Sequence, residues 1–117
     1  MLLLDGIGAN GVRILQPETV RLFTKPWRVG MMDEVTRSDC AWSLGCFVGA
    51  QICGEHASPT VFGHGGSQSS IAFCDRDAGL VVCMYFNARP GPAKHEERVK
   101  RLATLIYEDL GLVKKPQ

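Results

Sequence analysis

The sequence lacks the features that adapt a chain to a membrane or to nucleic acid. No apolar run approaches the roughly 20 residues that a membrane-spanning helix needs, and Met1-Leu2-Leu3-Leu4 lacks the basic flank of a signal peptide. Lys and Arg number 13 against 12 Asp and Glu, with no run of either sign. No basic surface for nucleic acid is therefore expected. We expect a cytoplasmic protein that binds neither membrane nor nucleic acid.

A disulfide framework is also lacking, because the five cysteines are an odd number and no two of them form a Cys-x-x-Cys pair. Cys74 and Cys83 lie in apolar runs, where a free thiol is expected to be buried as a small apolar group. A zinc module would have to use the remaining candidates, Cys40, Cys46, Cys53 and His56. Their spacing is not that of a zinc finger, so no metal is expected.

What the chain does have is the composition of a folded protein. Apolar residues make up 45% and charged residues 21% of 117 positions, which is typical of a globular domain with one core. A first helix is expected from Pro17 to about Lys25, because proline and Glu18 both favour the first helical turn. The stretch 28–39 has no clear periodicity and is expected to be a connection.

Four strands are predicted, at about 42–48, 60–64, 69–74 and 80–87. Gly45 interrupts the first strand, where it is expected to form a bulge or to pass close to another backbone. The last two strands flank residues 75–79, which have the composition of a hairpin loop. Because the run 80–86 is apolar at both parities, both faces of its strand are expected to be covered.

A terminal helix is predicted at about 93–110, ending before Gly111. Its expected core-facing stripe consists of Val99, Leu102, Ile106 and Leu110. The sum is an α+β fold in which an antiparallel sheet carries this helix on one face, within a single domain at 1–117.

Several short segments, taken in order, resemble the class C β-lactamase and esterase family. The stretch 15–20, Leu-Gln-Pro-Glu-Thr-Val, is similar to the family's Leu-Ser-Pro-Glu-Thr-Val helix start. The stretch 42–45, Trp-Ser-Leu-Gly, is similar to its Tyr-Gly-Leu-Gly strand. His64-Gly65-Gly66 stands where the family has Lys-Thr-Gly or His-x-Gly, and it is followed by a hairpin, Asn87 and a terminal helix. The resemblance thus covers nearly the whole chain.

The resemblance implies a partial β-lactamase/transpeptidase-like fold and a serine hydrolase acting on a small ester, amide or β-lactam without metal or organic cofactor. It implies that His64 touches the substrate or assists proton transfer. The Ser67 backbone N–H would be an oxyanion-hole donor, and Gly65 and Gly66 would let the substrate approach the backbone.

The chain departs from the family in one decisive respect, since no serine is followed three residues later by lysine. The family's nucleophile lies in such a Ser-x-x-Lys motif. Tyr85-Phe86-Asn87 matches the family's Tyr-x-Asn motif, but it lies in a strand, and we interpret the match as coincidence. We therefore expect a C-terminal fragment that is inactive alone, with an open sheet edge prone to association.

An alternative of a different class stays open. The same segment can be a noncatalytic interaction module that inherited this fold and binds a protein partner by adding a strand to its open edge.

Overall fold

The computed structural model describes residues 1–35 and 37–113. Its strands are β1 (Ala41–Trp42), β2 (Phe47–Val48), β3 (Phe62–Gly66), β4 (Ser70–Asp75) and β5 (Leu80–Tyr85), and its helices are α1 (Pro17–Thr24) and α2 (Pro92–Asp109). Short 3-10 turns occupy Leu2–Leu4 and Ala50–Ile52. The strands form one antiparallel sheet in chain order, from β1 at one edge to β5 at the other. The predicted α+β class with a C-terminal helix is confirmed.

One face of the sheet is closed by α2. Ile71 and Phe73 of β4 and Val82 of β5 are buried against Val99 and Ala103 of the helix. The full set of buried residues in this core is Phe47, Cys53, Ala57, Val61, Ile71, Phe73, Val82, Val99, Ala103 and Tyr107. Within the described ranges, neither helix is both long and apolar enough to cross a bilayer.

The core-facing side of α2 differs from the predicted stripe. Val99 is buried as expected and Ile106 is partly buried, but Leu102 and Leu110 are exposed. Their places in the core are taken by Ala103 and Tyr107. Hydropathy ranks leucine above tyrosine, but the Tyr107 hydroxyl has a buried hydrogen-bond partner, which a leucine at this position could not satisfy.

The buried partner is Asp75, which is fully enclosed and accepts four hydrogen bonds. Ser58 donates both its backbone N–H (2.8 Å) and its hydroxyl (2.6 Å), Tyr107 donates its hydroxyl (2.7 Å), and Ala78 donates its backbone N–H (3.2 Å). Burial by itself raises the pKa of Asp75, but these donors outweigh it and hold the pKa below its ordinary value. The carboxylate is thus stable as an anion inside the core.

The predicted strand 42–48 is wrong, because this segment is a hairpin. β1 and β2 pair with each other through Ala41 with Val48 and Trp42 with Phe47. Gly45 between them has φ +90°, which reverses the chain where the sequence predicted a bulge. Ser43 fixes the turn by donating its backbone N–H (2.8 Å) and its hydroxyl (3.1 Å) to the carbonyl oxygen of Cys46.

The other strands differ from prediction mainly at their ends. β3 begins at Phe62 instead of residue 60, because Ser58 to Val61 form a turn closed by the Val61 N–H on the Ser58 carbonyl (3.2 Å). β4 and β5 meet at a turn in which Asp75 pairs with Leu80, so the predicted hairpin is present. The helix predicted from Pro17 is also present, with Val20 buried.

The second face of β5 is uncovered, which overturns the prediction that both faces are covered. Val81 is 60% exposed, Tyr85 is 81% exposed and Cys83 is exposed as well. The prediction that Cys83 is buried is therefore wrong, whereas Cys74 is buried as expected. On the same face of the sheet, the part near β2 is covered by the Leu2–Leu4 turn. Because the run 80–86 is apolar at both parities, the sequence indicated that both faces of the strand are buried. In the described chain, only the face under α2 is covered along β5.

Substitution of two glycines in β3 tests the packing of the sheet. A Cβ at Gly63 would lie 2.8 Å from the Phe73 Cα, whereas a Cβ at Gly65 would meet only the Ser70 carbonyl oxygen at 3.8 Å. Gly63→Ala should therefore lower the free energy of unfolding by about 2 kcal/mol or more, and Gly65→Ala should leave it unchanged or slightly raised. Urea denaturation measures both, and equal effects would contradict the structure.

Removal of the Tyr107 hydroxyl tests the Asp75 network. Tyr107→Phe should cost about 2 kcal/mol of unfolding free energy at neutral pH, because it deletes a hydrogen bond to a charged group. The folded-state pKa of Asp75 is depressed, so its contribution is fully present above the unfolded pKa of roughly 3.9 and is lost as pH falls from there through the folded pKa. The cost should accordingly shrink in acid, as pH falls through the folded pKa. Tyr85→Phe, at an exposed ring, is the control and should have no effect at either pH; a pH-independent cost for Tyr107→Phe would contradict the assignment.

Candidate functional site

The predicted site lies where β3 leaves its pairing with β2. β2 pairs only with Phe62 and Gly63, whereas β4 pairs with β3 as far as Gly66. The Gly49 N–H donates to the Val61 carbonyl (2.8 Å), so Val61 directs its backbone groups toward β2. Because these directions alternate along a strand, Gly65 also directs its N–H to that side, where no described strand lies against it. The site therefore includes an open backbone edge.

The Ser67 N–H faces the same open side. The same peptide group carries the Gly66 carbonyl oxygen. This oxygen accepts a hydrogen bond from the Ser69 N–H (2.9 Å) within the β3–β4 turn. In a planar trans peptide the N–H and C=O point in opposite directions, so the Ser67 N–H points away from the turn. The N–H groups of Gly65 and Ser67 are thus successive donors along one strand edge.

His64 is exposed beside this edge. Its Nδ1–H donates to the Gly65 carbonyl oxygen at 2.6 Å, and its ring meets Trp42 edge-on with centroids 5.9 Å apart. A neutral imidazole that donates from Nδ1 keeps a lone pair on Nε2. Through Nε2, His64 can therefore accept a hydrogen bond or a proton from a molecule lying along the strand edge.

The turn after β3 has an unusual backbone. Ser67 and Gln68 have φ +41° and +64°, in the left-handed region that most residues avoid. Arg89 holds Ser67 by donating to its carbonyl oxygen (3.1 Å) and to its hydroxyl (2.8 Å). Arg98 donates to the carbonyl oxygen of Gln68 (2.9 Å) and lies 3.9 Å from the Phe86 ring centroid. Two arginines from beyond β5 thus fix the position of the Ser67 N–H.

The residues that the sequence assigned to the site, His64, Gly65, Gly66 and Ser67, are neighbours in the chain, and they lie at the end of β3 and in the turn that follows it. Sequence reasoning did not find Arg89, whose contact spans 22 positions. It also did not find Trp42, whose indole Nε1 is buried without a hydrogen-bond partner among the described residues. A lone arginine before a proline carries no signal of such a contact.

Two clefts of the described chain lie away from His64. One cleft of about 500 Å³ is lined by Leu3, Thr24, Pro26, Val48, Pro59, Thr60, Phe62, Arg76 and Asp77. A second of about 630 Å³ is lined by Pro26, Val29, Ala41, Val48, Gly49, Ala50, Gln51 and Pro59. His64 lines neither of them. The strand edge therefore belongs to neither of these two clefts.

Two candidate nucleophiles among the described residues, Ser67 and Cys53, are not activated. The Ser67 hydroxyl is held by Arg89, a permanent cation that cannot act as a base. Burial and the nearby Asp75 raise the pKa of the Cys53 thiol to about 12, so it is not a thiolate at neutral pH. Within residues 1–35 and 37–113, no group of three or more His, Cys, Asp or Glu residues is arranged to hold a metal ion.

No protein-family model matches the chain, and no curated protein matches it.

Removal of the Arg89 side chain tests how the turn is held. In Arg89→Ala, the backbone order parameters of Ser67 and Gln68 should fall below the rigid-strand value of about 0.85, because the left-handed turn loses the cation that holds it. Relaxation of ¹⁵N spins measures this change residue by residue. Arg101→Ala, on the exposed side of α2, is the matched control. Unchanged order parameters in Arg89→Ala would contradict the role assigned to this arginine.

Proposed function

We propose that this chain is the C-terminal sheet-and-helix part of a serine hydrolase related to class C β-lactamases and their esterase relatives. In the complete protein it would form one wall of the active site and contribute to hydrolysis of an ester, an amide or a β-lactam. The isolated chain would be inactive. The observation that carries this proposal is the open edge of β3, with an exposed histidine beside it.

The edge has the chemistry that acyl transfer requires. A carbonyl oxygen that becomes negative in the transition state is stabilised by backbone N–H donors, which need no reorganisation. Ser67 offers such a donor, in a position that Arg89 holds, and the second donor would come from the nucleophile's own amide. His64 would contact the substrate or transfer a proton through Nε2, and Gly65 and Gly66 keep side-chain atoms out of the substrate's path.

The sizes of two losses of turnover explain why this wall of the active site alone would not catalyse the reaction. Loss of one oxyanion donor reduces turnover by about 10² to 10³, whereas loss of the nucleophile reduces it by about 10⁶. Since the chain has no Ser-x-x-Lys motif, the larger loss applies to it. The cooperating half would bring the nucleophile opposite the β3 edge.

The source DNA provides the first test. The reading frame upstream of Met1 should encode Ser-x-x-Lys followed by Tyr-x-Asn, and absence of both motifs would contradict the proposal. The complete protein should then hydrolyse a chromogenic short-chain ester or cephalosporin, while the 117-residue chain should hydrolyse neither.

Within the complete protein, His64→Ala tests the role of the histidine. It should lower kcat/KM by about 10²-fold or more, because a residue that transfers protons commonly contributes that much. His56→Ala is the control. His56 lies on the loop that leads into β3, and its side chain is directed to Glu108 of α2 (3.6 Å) instead of to the β3 edge. Similar losses from both substitutions would show that β3 does not line the active site, and turnover by the isolated chain would show that the nucleophile lies within these 117 residues.

A further inference from the structure

Arg98 connects α2 to the turn that follows β3. Its Nη2 donates to the carbonyl oxygens of Gln68 (2.9 Å) and Ala88 (2.8 Å), and its guanidinium carbon lies 3.9 Å from the Phe86 ring centroid. Gln68 has a φ of +64°, so it is one of the strained residues of this turn. The conformation of the turn therefore depends on the orientation in which the guanidinium is held.

His95, in the first turn of α2, fixes that orientation. Its Nδ1 accepts a hydrogen bond from the Nε–H of Arg98 at 3.2 Å and lies 3.1 Å from Nη2. Because a guanidinium is planar and its donors form a rigid fork, a bond at Nε determines where Nη2 points. The His95 ring is itself held by the Phe86 ring, which it meets edge-on at 5.8 Å, and by a hydrogen bond with the backbone of Ser70.

The contact between His95 and Arg98 requires a neutral imidazole. Arginine is always charged and has no acceptor, so Nδ1 of His95 must supply the lone pair. A proton on Nδ1 removes this acceptor and sets a second cation 3.2 Å from Nε of the first. Histidine is the side chain that ordinarily gains a proton as pH falls from neutral to mildly acidic. The contact is thus sensitive to pH by its geometry.

The surroundings of His95 determine the direction of this sensitivity. Burial and then the charge of Arg98 lower the pKa of His95, and the hydrogen bond with Ser70 opposes them less strongly. Arg89, on the segment before α2, is directed to Ser67. The charged neighbours of His95 along α2 are exposed, namely Lys94, Glu96 and Glu97. The neutral contact is therefore fully present above the unfolded pKa of roughly 6.5 and is lost as pH falls from there through the folded pKa.

We infer that His95 is a pH-sensitive switch for the turn after β3. The neutral imidazole holds Arg98 on the Gln68 carbonyl oxygen, and the protonated imidazole releases Arg98, so that the turn becomes mobile at Gln68. Ser67 is affected less, because Arg89 holds its carbonyl oxygen and its hydroxyl independently. The inference concerns the 117-residue chain itself and does not rest on the proposed hydrolytic function.

A pH titration of the ¹⁵N-labelled 117-residue chain tests the inference. Between about pH 8 and about pH 4.5, the backbone order parameter of Gln68 should fall from the rigid value of about 0.85 toward the mobile range below about 0.6, with a smaller fall at Ser67. The midpoint should coincide with the titration of the His95 ring protons, below pH roughly 6.5. The circular dichroism spectrum should not change, because the pKa of Asp75 is lowered and its carboxylate stays ionised in this range.

Two variants distinguish His95 from the histidine in β3. His95→Gln can still accept the Arg98 hydrogen bond through its amide oxygen but cannot gain a proton, so the order parameter of Gln68 should stay high at every pH. His64→Gln is the matched control, since His64 also titrates and bonds to the Gly65 carbonyl oxygen beside the turn (2.6 Å). This variant should keep the wild-type transition at Gln68.

Three results would overturn the inference. The first is a wild-type order parameter at Gln68 that does not change while the His95 ring titrates, and this result needs no variant. The second is a transition that persists in His95→Gln. The third is a transition that disappears in His64→Gln, which would assign the effect to the histidine in β3.

Discussion

The buried carboxylate of Asp75 holds together parts of the chain that are far apart in sequence. An enclosed anion is costly unless hydrogen bonds replace its water, and here Ser58 supplies two of them, Ala78 one and Tyr107 one. Those donors belong to the loop before β3, the turn before β5 and the end of α2. Each segment must be in place for the carboxylate to be satisfied, so the network fixes how the helix lies on the sheet and where β3 begins. The register of His64 along β3 depends on this arrangement.

The two faces of the sheet have different roles because only one of them is fully covered. α2 closes the face that carries Phe73 and Val82, and the core lies there. On the other face the Leu2–Leu4 turn covers the end near β2, and the rest, from His64 across to Tyr85, faces solvent. The open strand edges lie on opposite sides of this uncovered area, one at Gly65 and one along β5. The proposed catalytic wall uses the first of these open edges.

Local signals in the sequence were enough to predict the hairpin of β4 and β5 and both helices. They failed where the outcome depends on distant partners. Residues 42–48 read as one strand because apolar character does not show that Gly45 takes a positive φ. The exposed side of α2 was mispredicted because a buried carboxylate selects Tyr107 over Leu102. For the candidate site, the order of His64, Gly65 and Gly66 in the sequence was the signal. No local pattern predicted the shape of the turn at Ser67. That shape depends on Arg89, which no local pattern connects to it.

The β3–β4 and β4–β5 hairpins differ in what makes them turn, and this difference has a consequence for folding order. The β4–β5 turn has its own means of reversing the chain, with Gly79 at φ +65° and Asp75 accepting the nearby Ala78 N–H. The β3–β4 turn uses Ser67 and Gln68 at positive φ and depends on arginines that follow β5 in the chain. Short-range closure costs the least chain entropy, so we expect β4 and β5 to form the nucleus. β3 would dock only after the segment carrying Arg89 has arrived, which makes the strand with the exposed histidine a late addition to the folding sheet.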